Sequence, residues 1–174
     1  MKEVQINMLR KLLIPLIMLI ICSSVAWSLP ENEENLKEDE LAGITLGFSF
    51  EQVKRILGEP QFISELDTDK PDVKQVVWEY KSKGVKILFG TGQAEVIILE
   101  KPCNIPTPRG LLIGDNWRKS LELYRYCSAY VQNMGYQIGI VFTLEEDLKL
   151  SIAIPSDSEE IMTISLWREK KSEE

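Results

Sequence analysis

Carboxylates, a pair of cysteines and a few aromatics on strand-like runs are the side chains of this chain with types suited to chemistry. None of its 174 residues is histidine. That removes the commonest general base, the Ser-His and Cys-His nucleophile pairs, and histidine-ligated metal sites. Carboxylate, lysine or tyrosine chemistry is left, and for carboxylates Glu79, Glu95 and the acidic turns Glu145–Asp147 and Ser156–Glu160 are where it would reside. Carboxylate chemistry requires side chains that converge in a concave pocket. The spacing shows no such constellation, so no catalytic, cofactor-binding or metal-binding residue is assigned. Asp67–Asp72 has the acidic density of a calcium loop, but it lacks the turn glycine and the closing glutamate, and Pro71 interrupts it. It reads as part of a polar loop from Gln61 to Lys74.

Cys103 and Cys127 form an even pair once Cys22 is set aside with the N-terminal segment. In an oxidising compartment they are a candidate disulfide, of the kind that adds ~3 kcal/mol by closing a loop of this size. The sequence leaves their geometry open. A zinc or redox role lacks the ligand spacing.

The N-terminus points to such a compartment. Arg10 and Lys11 precede an apolar run from Leu12 to Cys22, followed by Ser23-Ser-Val-Ala-Trp-Ser28. This is the layout of a secretory signal, with cleavage expected after Ser28 or after Ala26. Pro15 and the shortness of the run disfavour a spanning helix. Retention as an anchor and lipidation on Cys22 are the alternatives, although Ile21 is bulkier than lipoprotein signals want. Met8 is an alternative start to Met1. The segments expected are a signal peptide or anchor over 1–28, an acidic linker over 29–40, units over 41–101 and 102–167, and a charged tail over 168–174. The net charge is -7, and without residues 1–28 there remain 17 basic and 26 acidic residues. An acidic body argues against nucleic acid or an anionic membrane surface as the main partner. Membrane contact is expected only through residues 12–22, if they are uncleaved or lipidated.

The elements that position these residues begin with a helix whose two ends are both written in the sequence. Ser49 suits an N-cap and Gln52 completes a capping box. Phe50, Val53, Ile56 and Leu57 fall on one stripe, Gly58 suits the left-handed stop, and Pro60 prevents continuation. Val76–Tyr80, Val85–Phe89 and Ala94–Leu99 then read as three strands between glycine turns. After a proline-rich connector, Lys101–Gly110, Asp115 or Asn116 caps a second helix with Trp117, Leu121 and Tyr124 on its apolar face. Tyr136–Phe142, Leu148–Ile154 and Ile161–Trp167 supply three more strands. Setting Gly47 against Gly114 aligns Phe50 with Trp117, Ile97 with Ile164 and Leu99 with Leu166, so the expectation is an internal duplication. The expected fold class is α+β, as two helix-plus-three-strand repeats.

Ile44-Thr-Leu-Gly-Phe-Ser-Phe-Glu-Gln-Val-Lys-Arg-Ile-Leu-Gly-Glu-Pro60, followed by Trp78-Glu-Tyr80 and the strands Val85–Phe89 and Val96–Leu99, resembles the BamE/SmpA-like unit. In tandem it resembles the β-lactamase-inhibitor-protein-like arrangement. The resemblance covers most of residues 41–167, closely in the first unit and loosely in the second. It implies helices packed on one face of an antiparallel sheet, and exported proteins that bind other proteins in envelope assembly or inhibition. The expected function is therefore a non-enzymatic exported interaction module with another exported or envelope protein as partner. The alternative is a carboxylate-based hydrolase or small-ligand binder. Among Trp78, Tyr80, Tyr136, Phe142 and Trp167, alternation puts Trp78 and Tyr80 on one face and Glu79 on the other. Exposed on a helix-free face, Trp78 and Tyr80 would be the interaction surface; under the helix, they would be core.

Overall fold

The computed structural model describes residues 37–67 and 74–170. The signal segment, the calcium-like positions 68–72 and the tail after 170 lie outside the described residues. The described chain is organised by an eight-stranded antiparallel sheet in the order β3-β4-β5-β6-β10-β9-β8-β7. Its strands are β3 (Phe62–Asp67), β4 (Lys74–Tyr80), β5 (Val85–Gly90), β6 (Gln93–Glu100), β7 (Ser128–Asn133), β8 (Gln137–Thr143), β9 (Leu148–Pro155) and β10 (Thr163–Arg168). Two four-stranded meanders meet where β6 pairs with β10, Ile97 opposite Leu166 and Leu99 opposite Ile164. A two-residue hairpin, β1 (Glu40–Leu41) with β2 (Ile44–Thr45), precedes the sheet.

This corrects the expected fold class. The chain is mostly β, with only two short described helices, α1 (Phe50–Leu57) and α2 (Arg118–Leu123), so it is not a pair of helix-plus-three-strand repeats. The error lies in two strands. β3 occupies six residues of what reads as a polar loop, and β7 follows α2 where no element was expected. Both are edge strands with every residue exposed, so neither carries the alternation of burial that marks a strand in sequence.

The inner strands follow the alternation closely. In β9, Leu148, Leu150, Ile152 and Ile154 are buried while Lys149, Ser151, Ala153 and Pro155 are half-exposed. Trp78, Ile87, Ile97, Leu166, Leu150 and Phe142 continue that buried layer from strand to strand. Each Leu or Ile fully buried in such a layer contributes about 1.5–3 kcal/mol. Both helices lie over this face. Val53 and Leu57 of α1 enter the core, and Phe50 stacks within 4.9 Å of Trp78 and 4.4 Å of Phe89. In α1 the capping box forms, with Gln52 N–H donating to Ser49 and Ser49 N–H donating to the Gln52 side chain.

α2 keeps two residues of its expected face, Tyr124 in the core and Trp117 packed against it, and departs at the third. Trp117 is its N-cap without a side-chain bond, Leu121 is exposed, and Ser120 is the residue buried within the helix. Asn116 does accept from the Arg118 amide at 3.0 Å, and Asp115 accepts instead from Leu112 N–H at 2.8 Å. The acidic linker is tied to the body at its end. Leu41 and Ile44 of the small hairpin are core residues, and Glu38 is ion-paired with Arg109 at 2.6 Å.

Candidate interaction surface

Trp78 and Tyr80 belong to the helix-covered face, 5% and 1% exposed. The structure thus moves both out of the interaction surface and into the core. Trp78 is enclosed by Phe50 and Phe89, with the Lys54 ammonium 5.6 Å from its ring centroid. The Tyr80 hydroxyl donates to the Gly58 carbonyl at 3.1 Å, which ties β4 to the end of α1. Burial, with Glu59 adding to it, pushes the Tyr80 phenol up to about 12. Phe142 is likewise buried, against Tyr124.

The opposite face has no described element over it. There the pairings bring Val77, Leu88 and Val96 into one row with Trp167 of β10, and Ile98 beside Ser165. Leu88, Val96, Ile98 and Trp167 are half-buried, and Phe62 and Leu66 extend the apolar side chains to the β3 edge. An apolar row on a sheet face normally meets another layer or a ligand. Glu79, Lys86 and Lys149 border it, Glu79 lying 3.7 and 3.8 Å from Lys81 and Lys86.

At the start of β6 and the end of β10 this face opens into a groove of about 490 Å³ lined by Leu46, Gln75, Gln93, Glu95, Val96, Trp167 and Glu169 among others. Its charges are already matched. Glu95 pairs with Lys170 at 2.9 Å, Glu169 with Lys149 at 3.4 Å, and Arg168 with Asp147 at 2.9 Å. Glu79 and Glu95, the carboxylates singled out in the sequence, do not meet; Glu95 sits over Gly90 at the far end of β5. Among the described residues no group of three or more Cys, Asp or Glu is arranged to hold a metal ion.

Cys103 is buried and Cys127 half-buried, with no disulfide between them. Cys127 borders a polar cluster that the sequence did not reveal. Arg109 donates to Glu38 and to the Leu123 carbonyl and lies over the Tyr124 ring, while the Tyr124 hydroxyl donates to Thr107 at 3.0 Å. Burial pulls the Arg109 pKa down, but the Glu38 hydrogen bond and charge more than offset this and leave it raised. Burial drives the Tyr124 phenol up to about 12 against the lowering effect of the Thr107 bond. These residues come from a linker, a connector and a helix end, so no motif links them in sequence.

No family model matches the chain, and no curated protein does. Among solved structures it is similar to an extracellular protein containing a SCP domain from Bacillus anthracis str. Ames, with a TM-score of 0.50 and 12% identity. That likeness covers 79% of this chain and 49% of the other, so this chain spans about half the length of that structure. The two share a fold over the matched part. A second structure, from Streptococcus mutans and described as a candidate β-lactamase inhibitor protein, has 12% identity over 73% of this chain and 85% of its own, with a TM-score of 0.28. No family model matches the stretch that resembles a BamE/SmpA-like unit.

Proposed function

We propose that this chain is an exported, non-enzymatic protein-binding module whose binding surface is the helix-free face of the sheet. The observation that carries the proposal is the half-buried apolar row Leu88, Val96, Trp167 with Ile98 beside it, which no described element covers. Apolar side chains bordered by paired charges are the makeup of a protein interface, with a desolvated centre and a polar rim. Export is supported by Arg10-Lys11 and the apolar run to Cys22, and by the extracellular description of the Bacillus anthracis structure. The acidic net charge of -7 favours a protein partner over nucleic acid.

The competing reading, a carboxylate-based hydrolase or small-ligand binder, draws on Glu95 and Glu169 lining one groove. Each already has a lysine partner, so ion pairing explains their placement without a reaction. The test is affinity purification from extracellular and envelope fractions with the wild-type chain, Val96→Asp and Glu51→Lys. A partner retained by wild type and Glu51→Lys but lost with Val96→Asp supports the proposal. No retained partner, together with product release from a hydrolase substrate panel that Glu95→Gln abolishes, would replace it with the competing reading.

A further inference from the structure

The two edges of the sheet differ in how they meet solvent. β3 carries Glu65 and Asp67, Glu65 is paired with Lys74 at 2.6 Å, and the Lys81 ammonium stands 4.0 Å from the Phe62 ring centroid. Charge on an edge strand blunts its pairing with another chain. β7 reads Ser128-Ala-Tyr-Val-Gln-Asn133, with no charge, proline or glycine, and all six residues are exposed. Tyr130 is 54% exposed and Val131 70%. The Met134 amide donates to the Gln137 carbonyl at 3.0 Å and closes the β7–β8 hairpin. Counting back from that bond, the alternation of an antiparallel ladder directs the N–H and C=O of Ala129, Val131 and Asn133 away from β8. No described strand lies on that side of β7.

We propose that β7 is a self-association edge, at which two copies of this chain join β7 to β7 antiparallel about a two-fold axis and continue one sheet into the other. This goes beyond the protein-binding reading and does not depend on it. Charge selects the occupant. In a two-fold antiparallel joint a strand lies opposite itself, so like charges on it would face each other. β7 sets neutral residues against neutral residues, whereas a β3 joint would bring the Glu65 and Asp67 carboxylates of two copies along one short seam. Pairing β7 with β3 would leave an edge open at each end and build arrays instead of a closed dimer. Val131 on the helix side and Tyr130 on the other face give the β7 joint apolar contact on both sides.

Sedimentation equilibrium of the purified full chain in a neutrally buoyant detergent tests this. Wild type is expected to pass from monomer to dimer with rising concentration. Val131→Lys should raise the dissociation constant about tenfold or more, while Ile63→Lys on the other edge should leave it unchanged. Both positions are exposed, and circular dichroism checks that each variant folds; Tyr130→Glu replaces Val131→Lys if it does not. A wild type that stays monomeric at every soluble concentration would overturn the proposal. So would association that survives both β7 substitutions, which would place the contact elsewhere, residues 12–22 included.

Discussion

At Gly47 and again at Gly114 the backbone turns through a φ of 90°, and each glycine donates its amide to a carbonyl at or just before a strand, Ala94 in β6 at 2.8 Å and Ile161 ahead of β10 at 2.9 Å. In return the Ala94 amide donates to Phe48 and the Ile161 amide to Asp115. From these matching entries the two helices diverge. α1 is closed by a capping box and fixed by the Phe50–Trp78–Phe89 cluster. α2 has six residues, buries Ser120, and leans on polar contacts: Asp115 with Lys119 at 2.8 Å, and Arg109 with Glu38 and the Leu123 carbonyl. One backbone arrangement therefore supports two kinds of attachment, apolar in the first half and mixed in the second, where Trp117, Leu123 and Tyr124 pack on the core beside these ion pairs and hydrogen bonds. Apolar attachment is insensitive to pH and salt, whereas the polar kind depends on keeping its charges.

The sharpest way to break this contrast is to empty the aromatic cluster. Trp78→Ala should cost about 3–5 kcal/mol, read as a drop in the urea midpoint, with little dependence on ionic strength. Arg109→Leu comes next. It leaves the half-buried Glu38 carboxylate without its partner, and about 1.5–3 kcal/mol should be lost. Reversing the order of these two effects would contradict the contrast. Ser49→Ala removes one bond of the capping box and should cost about 1 kcal/mol, seen as faster hydrogen exchange in α1 and no change in α2.

The smallest expected effect is an acid-side pH dependence in the second half. Burial pushes the Asp115 pKa up, but the hydrogen bonds from Lys119 and Leu112 N–H and the Lys119 charge outweigh it and leave it lowered. A carboxylate with a lowered folded pKa contributes stability above its unfolded value, here about 3.8, and loses it as pH falls through the folded value. Acid titration below that point should weaken the α2 entry before the α1 entry. Asp115→Asn should abolish the difference, and an unchanged acid profile in that variant would reject the assignment.

Local chemistry made part of this fold legible in the sequence. Ser49, Gln52 and Gly58 specify α1 almost alone, because capping and stopping depend on residues a few positions apart. The six inner strands were legible because one buried face imposes alternation. The edge strands were not, since Phe62–Asp67 and Ser128–Asn133 bury nothing that would enforce a pattern. Their exposed apolar residues, Ile63, Tyr130 and Val131, were the available signal. For the candidate site, alternation fixed which residues share a face with Trp78 and Tyr80, but not which face the helices cover. That choice rests on Phe50 and Tyr124 meeting Phe89 and Phe142 across long sequence separations. Trp167 was visible as a strand aromatic, and its groove depends on β6 meeting β10, which no local motif encodes.

The central claim is that the helix-free face is where a partner binds. Its most direct test is site-specific photo-crosslinking with the probe placed at Val96 or Ile98, and at Arg55 on the exposed side of α1 as the reference, in the producing cell. A discrete crosslinked protein from Val96 and Ile98 and none from Arg55 is the predicted result. Crosslinks from Arg55 alone would contradict the claim and move the binding surface to the helix side.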